Sequence, residues 1–398
     1  MRDCATRRGD ASGIEHEGLE NAIVRKTIRR LADGREIIYY DELGERERNA
    51  ADTRPLAPMA VSSSLRYDDI LGTWVMYASH RQDRTYLPST EDCPLCPSRP
   101  GHPTEVPESS YEVAVFENRF PALAAPPHSS RAWEKGPRGP GSTPHGAVPP
   151  EDIMAELPSA GRCEVVCYTD DHDASFADLS AQRVDLVVSA LVDRTRDLSA
   201  TQGVEQVFCF ENRGREIGVT QPHPHGQIYA YPFVTPRTAK MLASAVAYQS
   251  KQGTNIFDDI LQAERRERKR VVTTTAHWTA FVPHAARWPY EVHCYPNERA
   301  PDLESLSRGA RTELPELLLD IFGRFTRLFD APAPYIAGWH QAPLRHGRDE
   351  LAVHLEMFTV RRTSDKLKFL AGSESAMDAF ANDVVPEEAA ERLRAAGS

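Results

Sequence analysis

Cysteine is scarce and odd in number, with seven thiols in 398 residues, at positions 4, 93, 96, 163, 167, 209 and 294. That excludes a disulfide scaffold and fits a reducing cytoplasm, with the thiols buried or on metal. Long apolar runs are also missing. The best, Leu186 to Val192, falls far short of the roughly 20 residues a membrane span needs, so no membrane partner is expected. The stretch Met1 to Asp10 is polar and arginine-rich, with no apolar h-region, and no secretory signal is expected there. Basic charge is in deficit: 47 Lys and Arg against 58 Asp and Glu give a net charge of −11. A negative sheath repels a phosphate backbone and argues against nucleic-acid binding, while a small phosphate ligand needs only a few local donors. What is abundant is proline, at 30 residues, which predicts irregular connections and few long helices. Apolar and charged fractions of 40% and 26% are ordinary globular values and exclude wholesale disorder.

Three zones follow from the pattern. Residues 1–55 are charge-rich, with a mobile tail expected over about the first 20 and one strand at Ile37 to Tyr40 after the turn Asp33-Gly34. Residues 56–245 and 246–398 are read as two similar α+β halves. Inside the first, 126–150 is dense in Pro, Gly, Ser and His and reads as a loop without a core. Runs at 73–77, 112–116, 207–210 and 227–230 alternate β-branched and aromatic residues and predict strands. Apolar spacing predicts helices over Leu179 to Leu198 and Leu314 to Phe329, and Pro386 with Glu387-Glu388 opens a third. Glu264 to Arg270 reads as a solvated helix face. The halves share an internal repeat. Glu164-Val165-Val166-Cys167-Tyr168 aligns with Glu291-Val292-His293-Cys294-Tyr295, each followed by Leu-Ser and a helix. Each copy then ends in a histidine strand, at His223-Pro224-His225-Gly226-Gln227 and His354-Leu355-Glu356.

The densest chemical cluster is Gly214 to Gln227. Two prolines stiffen the backbone around His223 and His225, Gly218 and Gly226 permit close approach, and the loop offers backbone donors that suit a phosphate. Histidine is a competent nucleophile toward phosphorus. The alternative is a proline-stiffened turn carrying surface histidines. Cys93-Pro94-Leu95-Cys96-Pro97 is a metal knuckle, a redox pair, or two incidental core thiols. The redox reading prefers a helix start in a βαβ unit, which Pro94 and Pro97 disfavour. A tetrahedral ion needs two more ligands, and the Asp170–Asp173 segment with His172, or the His223/His225 pair, could supply them. Arg81 and Arg84 follow a strand and suit phosphate, or form a solvated turn with Asp83. Asn118 and Asn212 sit in rhyming Phe-Glu-Asn-Arg segments and could read a base or ribose edge, or simply make turns.

These motifs, with Gly338-Trp339-His340-Gln341-Ala342-Pro343 and Lys368 through Glu374 in matching order, resemble the galactose-1-phosphate uridylyltransferase family, the transferase branch of the histidine-triad superfamily. The likeness spans about Asp69 to Gly397, and the His-Pro-His-Gly-Gln string is its most specific part. The resemblance implies an α+β fold of two histidine-triad-like repeats sharing one antiparallel sheet, a half-barrel with flanking helices, in a cytoplasmic homodimer. It implies that His225 carries UMP covalently from UDP-glucose to a hexose 1-phosphate, galactose 1-phosphate above all. Gln227 would hold the phosphoryl oxygens where hydrolase relatives place a third His, which can protonate a leaving group as a neutral amide cannot. Arg81 and Arg84 would bind phosphates; Asn118, Asn212, Gly218 and Thr220 would line the nucleotide site; Lys368, Phe369 and Glu374 would approach the sugar across a dimer interface. A structural zinc would take Cys93, Cys96, His172 and His223.

The chain departs from the family in places. Some members hold a second metal, an iron on one Glu and three His. His340 and His354 match, but Glu356 stands at the third His and Met241 at the Glu. That argues against a filled iron site and leaves His340 and Glu356 to the substrate, with Glu356 on a sugar hydroxyl. Thr220 replaces a serine, and Phe380 a sugar-contacting glutamine. The rival readings are a related phosphorylase or adenylyltransferase acting on ADP-glucose or a dinucleoside polyphosphate, and a zinc-stabilised nucleotide-binding protein without turnover.

Overall fold

A computed structural model describes residues 24–42, 46–59, 63–83, 87–124, 153–329 and 332–397. The expected tail of about 20 residues, the 126–150 loop and Arg84 lie outside them. The β-branched and aromatic runs form strands: β1 Arg25–Arg30, β2 Glu36–Asp41, β3 Ser64–Asp68, β4 Thr73–Tyr77, β5 Val113–Glu117, β6 Glu156–Pro158, β7 Arg162–Cys167, β8 Gln206–Arg213, β9 His225–Tyr231, β10 Val271–Thr274, β11 Trp278–Phe281, β12 Tyr290–Pro296, β13 Tyr335–His340 and β14 His354–Thr359. The helices are α1 Ala181–Ser199, α2 Pro236–Gln252, α3 Ile256–Glu267, α4 Arg308–Arg327, α5 Gly372–Met377 and α6 Pro386–Ala395.

Eleven strands make one sheet in the order β1-β2-β5-β7-β9-β8-β13-β14-β12-β11-β10, while β4-β3-β6 form a small second sheet. Neighbours in both are antiparallel, as the resemblance implied, and the large sheet stays open rather than closing into a barrel. The order is a mirror about the β8–β13 junction: β7-β9-β8 on one side matches β12-β14-β13 on the other. Helix α1 connects β7 to β8, and α4 connects β12 to β13. The two helices pack on each other across one face and bury Val184, Leu191, Leu314, Ile321 and Phe325 against Val166, Ile228, Cys294 and Met357 of the sheet. Ser180 and Ser307 cap them alike, each hydroxyl accepting from the backbone N–H three residues on.

The structure corrects several expectations. The repeat is real in topology but was aligned one residue out of register. Gly226 pairs with Val166, and its counterpart Leu355 pairs with Cys294, so Val166 rather than Cys167 matches Cys294. A one-residue slip turns every side chain to the other face of a sheet. It explains why Glu164, fully buried against Arg194 of α1 at 2.8 and 2.9 Å, has no equivalent in Glu291, which bonds His293 on the opposite face. Helix α4 begins six residues before the expected Leu314 and carries Pro315 inside it; apolar spacing marks only its second part. Strand β1 was not foreseen, because its Arg- and Lys-rich edge holds one apolar residue, Ile28, in the manner of a protected sheet edge. Glu264 and Arg270 are not solvated. Both are buried and paired at 3.0 Å, with only the residues between them exposed.

Candidate active site and metal centre

The open face of β5, β7, β9 and β8 floors a cleft of about 640 Å³. Its walls bring together Arg81, Asn118, Asn212, Gly218, Thr220, His225 and Gln227, seven residues singled out from sequence. They come from a 3-10 turn over Ser79–Asp83, the ends of β5 and β8, the 214–221 loop and the start of β9. The His225 Nδ1–H donates to the His223 carbonyl at 2.8 Å. A neutral imidazole that donates through one nitrogen presents its lone pair on the other, which here is Nε2. Gln227 lies two residues on, on the same face. Gly226 between them has a steric reason. A Cβ there would sit 2.0 Å from the Tyr168 hydroxyl and 3.1 Å from the Phe210 carbonyl. Gly218 adopts φ +82 at the end of the Arg215–Ile217 turn, a conformation that favours glycine.

The other cleft residues have settled partners. Arg81 donates to the Phe120 carbonyl at 3.2 Å and to the Tyr229 hydroxyl at 3.3 Å. The Asn118 Oδ1 accepts from the Phe120 N–H at 2.8 Å, so the turn-making reading of this residue holds alongside its place in the wall. Glu105, Arg119, Phe116 and Tyr229 also line the cleft. Of these, Glu105 carried no sequence signal: it sits in a loop, and only the fold brings it to the wall.

Cys93, Cys96, His172 and His223 each place a ligand atom within 4.8 Å of the others. The Cys96 sulfur lies 3.3 Å from His172 Nδ1 and 3.5 Å from His223 Nδ1. Usual Zn–S and Zn–N lengths in a tetrahedron put S and N about 3.6 Å apart. The His223 Nε2–H is directed at the Thr169 carbonyl, 2.9 Å away, which turns the Nδ1 lone pair to the sulfurs. Burial holds the His223 imidazole down at about 4, in the neutral, ligating form. Burial and the neighbouring Cys93 push the Cys96 thiol up to about 12, a cost that a dication between the sulfurs reverses. The donor set fits zinc. Such an ion would act structurally, fixing the knuckle to the strand that begins two residues after His223.

The remaining candidates lie elsewhere. His340 and Glu356 do not line the cleft. They form a separate cluster with His354, and Glu356 also joins Glu291 and His293 in a second donor group. Glu356 takes a salt bridge from Arg237 of α2 and faces His340 at 3.4 Å and His354 at 3.3 Å. Burial opposes its ionisation, yet His340 and His293 hold the carboxyl well below the usual range. Met241, where a metal-binding Glu would stand, packs against the apolar cluster of Leu242, Phe257 and Leu351. Three histidines, His293, His340 and His354, do surround Glu356 at 3.8, 3.4 and 3.3 Å, but Met241 stands at the family's Glu position and a guanidinium already holds Glu356, so the set differs from the family's.

Lys368 and Glu374 are paired to each other at 3.6 Å and lie away from the cleft. Lys368 is 3% exposed, bonds the Ala381 carbonyl and reaches the Arg287 carbonyl at 3.2 Å. Phe369 beside it is exposed. Phe380 packs edge-on against Trp288, which stacks on Phe358.

A mirrored sheet, a histidine at the start of β9 with its counterpart at the start of β14, and two cysteines and two histidines gathered beside the first define a duplicated α+β architecture. Family models described as galactose-1-phosphate uridyl transferase, N-terminal and C-terminal domain, match residues 53–235 and 242–397. The chain belongs to the galactose-1-phosphate uridylyltransferase family. It is 46% identical over 382 residues to the galactose-1-phosphate uridylyltransferase of Streptomyces lividans, covering 93% of this chain and 98% of that one. The Thermotoga maritima protein of the same name is 37% identical over 335 residues, 83% and 97% of the two chains. A solved structure of uridylyltransferase superposes with TM-score 0.69 at 29% identity, over 84% of this chain and 98% of its own. No helix among the described residues is long and apolar enough to cross a membrane.

Proposed function

We propose that this chain moves UMP between UDP-glucose and galactose 1-phosphate through a uridylyl-histidine. The observation that carries the reading is His225, with its Nδ1–H donated to the His223 carbonyl, on the cleft floor beside Gln227. The Nε2 lone pair attacks the α-phosphorus, an N–P bond forms, and the P–O bond to glucose 1-phosphate breaks. The leaving phosphate takes the electron pair and is already an anion, so no proton need be supplied. The imidazolium formed is steadied by the His223 carbonyl. A phosphate oxygen of galactose 1-phosphate then attacks the same phosphorus, the N–P bond breaks, and UDP-galactose leaves.

Gln227 donates its amide N–H to a non-bridging oxygen and offers no acidic proton to a leaving group. Nor can a neutral amide take a proton from an attacking water, so the adduct waits for a sugar phosphate, which is already an anion. Arg81 and Arg84 neutralise phosphates; Asn118, Asn212, Gly218 and Thr220 hold the nucleotide. One structural zinc on Cys93, Cys96, His172 and His223 and no iron belong to the same reading. So do a first half over 56–245 that carries the nucleophile, a second over 246–398, a cytoplasmic site of action and a homodimer. In the dimer the exposed Phe369 of one chain meets the sugar end of the other.

Initial rates at varied UDP-glucose and galactose 1-phosphate test it. Parallel double-reciprocal lines with UDP-galactose as product are expected. Turnover of ADP-glucose but not UDP-glucose, or intersecting lines, would overturn it.

A further inference from the structure

Glu105 is an unlikely residue for a cleft that takes a diphosphate: a carboxylate, 7% exposed, in the wall of an anion site. Its surroundings explain how it is tolerated. The Arg35 Nη2 donates to one oxygen, Oε2, at 2.5 Å, and the Arg54 Nη1 lies 2.7 Å from the other, Oε1. Both arginines are themselves fixed. Arg35 Nε bonds Asp33 at 2.8 Å and its Nη1 bonds the Glu117 carbonyl at 2.8 Å, while Arg54 Nη2 bonds Asp52 at 2.7 Å. All four partners at positions 33, 35, 52 and 54 belong to the segment before β3, which the family's N-terminal model covers only from residue 53. A carboxylate has about four lone-pair sites. One arginine lies within hydrogen-bond reach of each oxygen, and the Arg119 Nη1 stands off from Oε1 at 3.9 Å, so a second lone-pair site remains on each oxygen, side by side.

Two adjacent acceptors suit two adjacent hydroxyl donors. Glu105 stands with Pro94, Leu95, Phe116 and Asn118 in the wall. Its N–H donates to the Pro94 carbonyl at 2.9 Å, which ties it to an apolar slot fit for a flat base. A like charge excludes phosphate from its immediate neighbourhood. A neutral vicinal diol is the part of a nucleotide that remains. We infer that Glu105, held by Arg35 and Arg54, accepts hydrogen bonds from the ribose 2′- and 3′-hydroxyls of the uridine nucleotide, and that the segment around residues 33–54 is there to aim it. The inference rests on the nucleotidyl-transfer reading and adds to it a residue that discriminates ribose from deoxyribose. Arg35 and Arg54 are positioning residues.

The test is kcat/KM for UDP-glucose and for 2′-deoxy- and 3′-deoxy-UDP-glucose, in wild type and in Glu105→Gln. Wild type should prefer UDP-glucose by about 10- to 100-fold over either analogue, the usual worth of one hydrogen bond to a charged group. In Glu105→Gln the preference should shrink to about threefold, because UDP-glucose slows far more than the analogues. If Glu105 only supports the wall, all three substrates slow together and the ratio stays, which would overturn the inference. Equal rates for all three in wild type would overturn it as well, assigning the carboxylate to a base N–H or to structure. Should Glu105→Gln fail to fold, Glu105→Asp keeps both ion pairs in charge while withdrawing the oxygens, and the same loss of preference is expected. Failure of the underlying reading is a separate result: wild type then makes no UDP-galactose from UDP-glucose at all.

Discussion

The two halves use one backbone device for different ends. At the start of β9, His225 donates Nδ1–H to the carbonyl two residues back, at 2.8 Å; at the start of β14, His354 does the same to Ala352, also at 2.8 Å. What differs is the cover. His225 opens to the cleft, whereas His354 is 1% exposed beneath Phe257 and Tyr295 and beside His340. The third residue of each strand differs too. Gln227 is a neutral amide in the cleft, while Glu356 is a buried carboxylate held by Arg237, His340 and His354. Burial, with His340 close by, lowers the His354 imidazole to about 4 and keeps it neutral. Strand geometry aims a histidine; packing above it decides whether the ring reacts or merely fills.

Substitutions that make one half resemble the other test this view. The largest effect is expected from Gln227→Glu, which gives the first half the residue of the second. A carboxylate beside the transferring phosphoryl group should cost about 10²- to 10³-fold in kcat/KM, with little change in Tm; steady-state rates and a thermal melt check both. Next is the knuckle, which has no counterpart in the second half. Cys96→Ser should lose about one zinc per chain and about 2–4 kcal/mol of stability. Metal analysis should find zinc and no stoichiometric iron in wild type. His354→Ala follows, at about 2–3 kcal/mol from a lost buried ring and a weakened Glu356. Denaturant unfolding reads that loss, and the folded enzyme should keep most of its rate.

The smallest concerns Glu211 on β8, where burial raises the carboxyl to about 7 while the Tyr335 hydroxyl donates to it at 2.7 Å. The folded chain then holds a proton that the unfolded chain releases near pH 4.5. Stability from this group is present below that pH and is lost as pH rises through about 7. Glu211→Gln should remove about 1–3 kcal/mol of the wild-type decline between pH 5 and 8, measured by melts across that range.

How far the sequence reached can be judged from the same residues. His225, Gln227 and Gly218 were legible because Pro222 and Pro224 restrict the backbone around the histidines and the strand after them alternates cleanly, and Asn212 because its Phe-Glu-Asn-Arg segment repeats that of Asn118. The knuckle pair Cys93 and Cys96 was legible from spacing. Glu105, Arg35 and Arg54 were not, because their meeting is long-range and each is an ordinary charged residue in its own segment. The repeat was visible but slipped by one, since Glu-Val and Cys-Tyr recur on both faces and only the pairing of Gly226 with Val166 fixes which side turns inward. The resemblance implies that Lys368 and Glu374 approach the sugar across a dimer interface; within one chain they pair with each other.

The most direct measurement is intact-protein mass after mixing with UDP-glucose, compared for wild type, His225→Ala and His354→Ala. One UMP-sized increment per chain is expected in wild type and in His354→Ala, discharged by galactose 1-phosphate, and none in His225→Ala. An increment that survives in His225→Ala, or one missing from a folded His354→Ala, would contradict the assignment of chemistry to the first half alone.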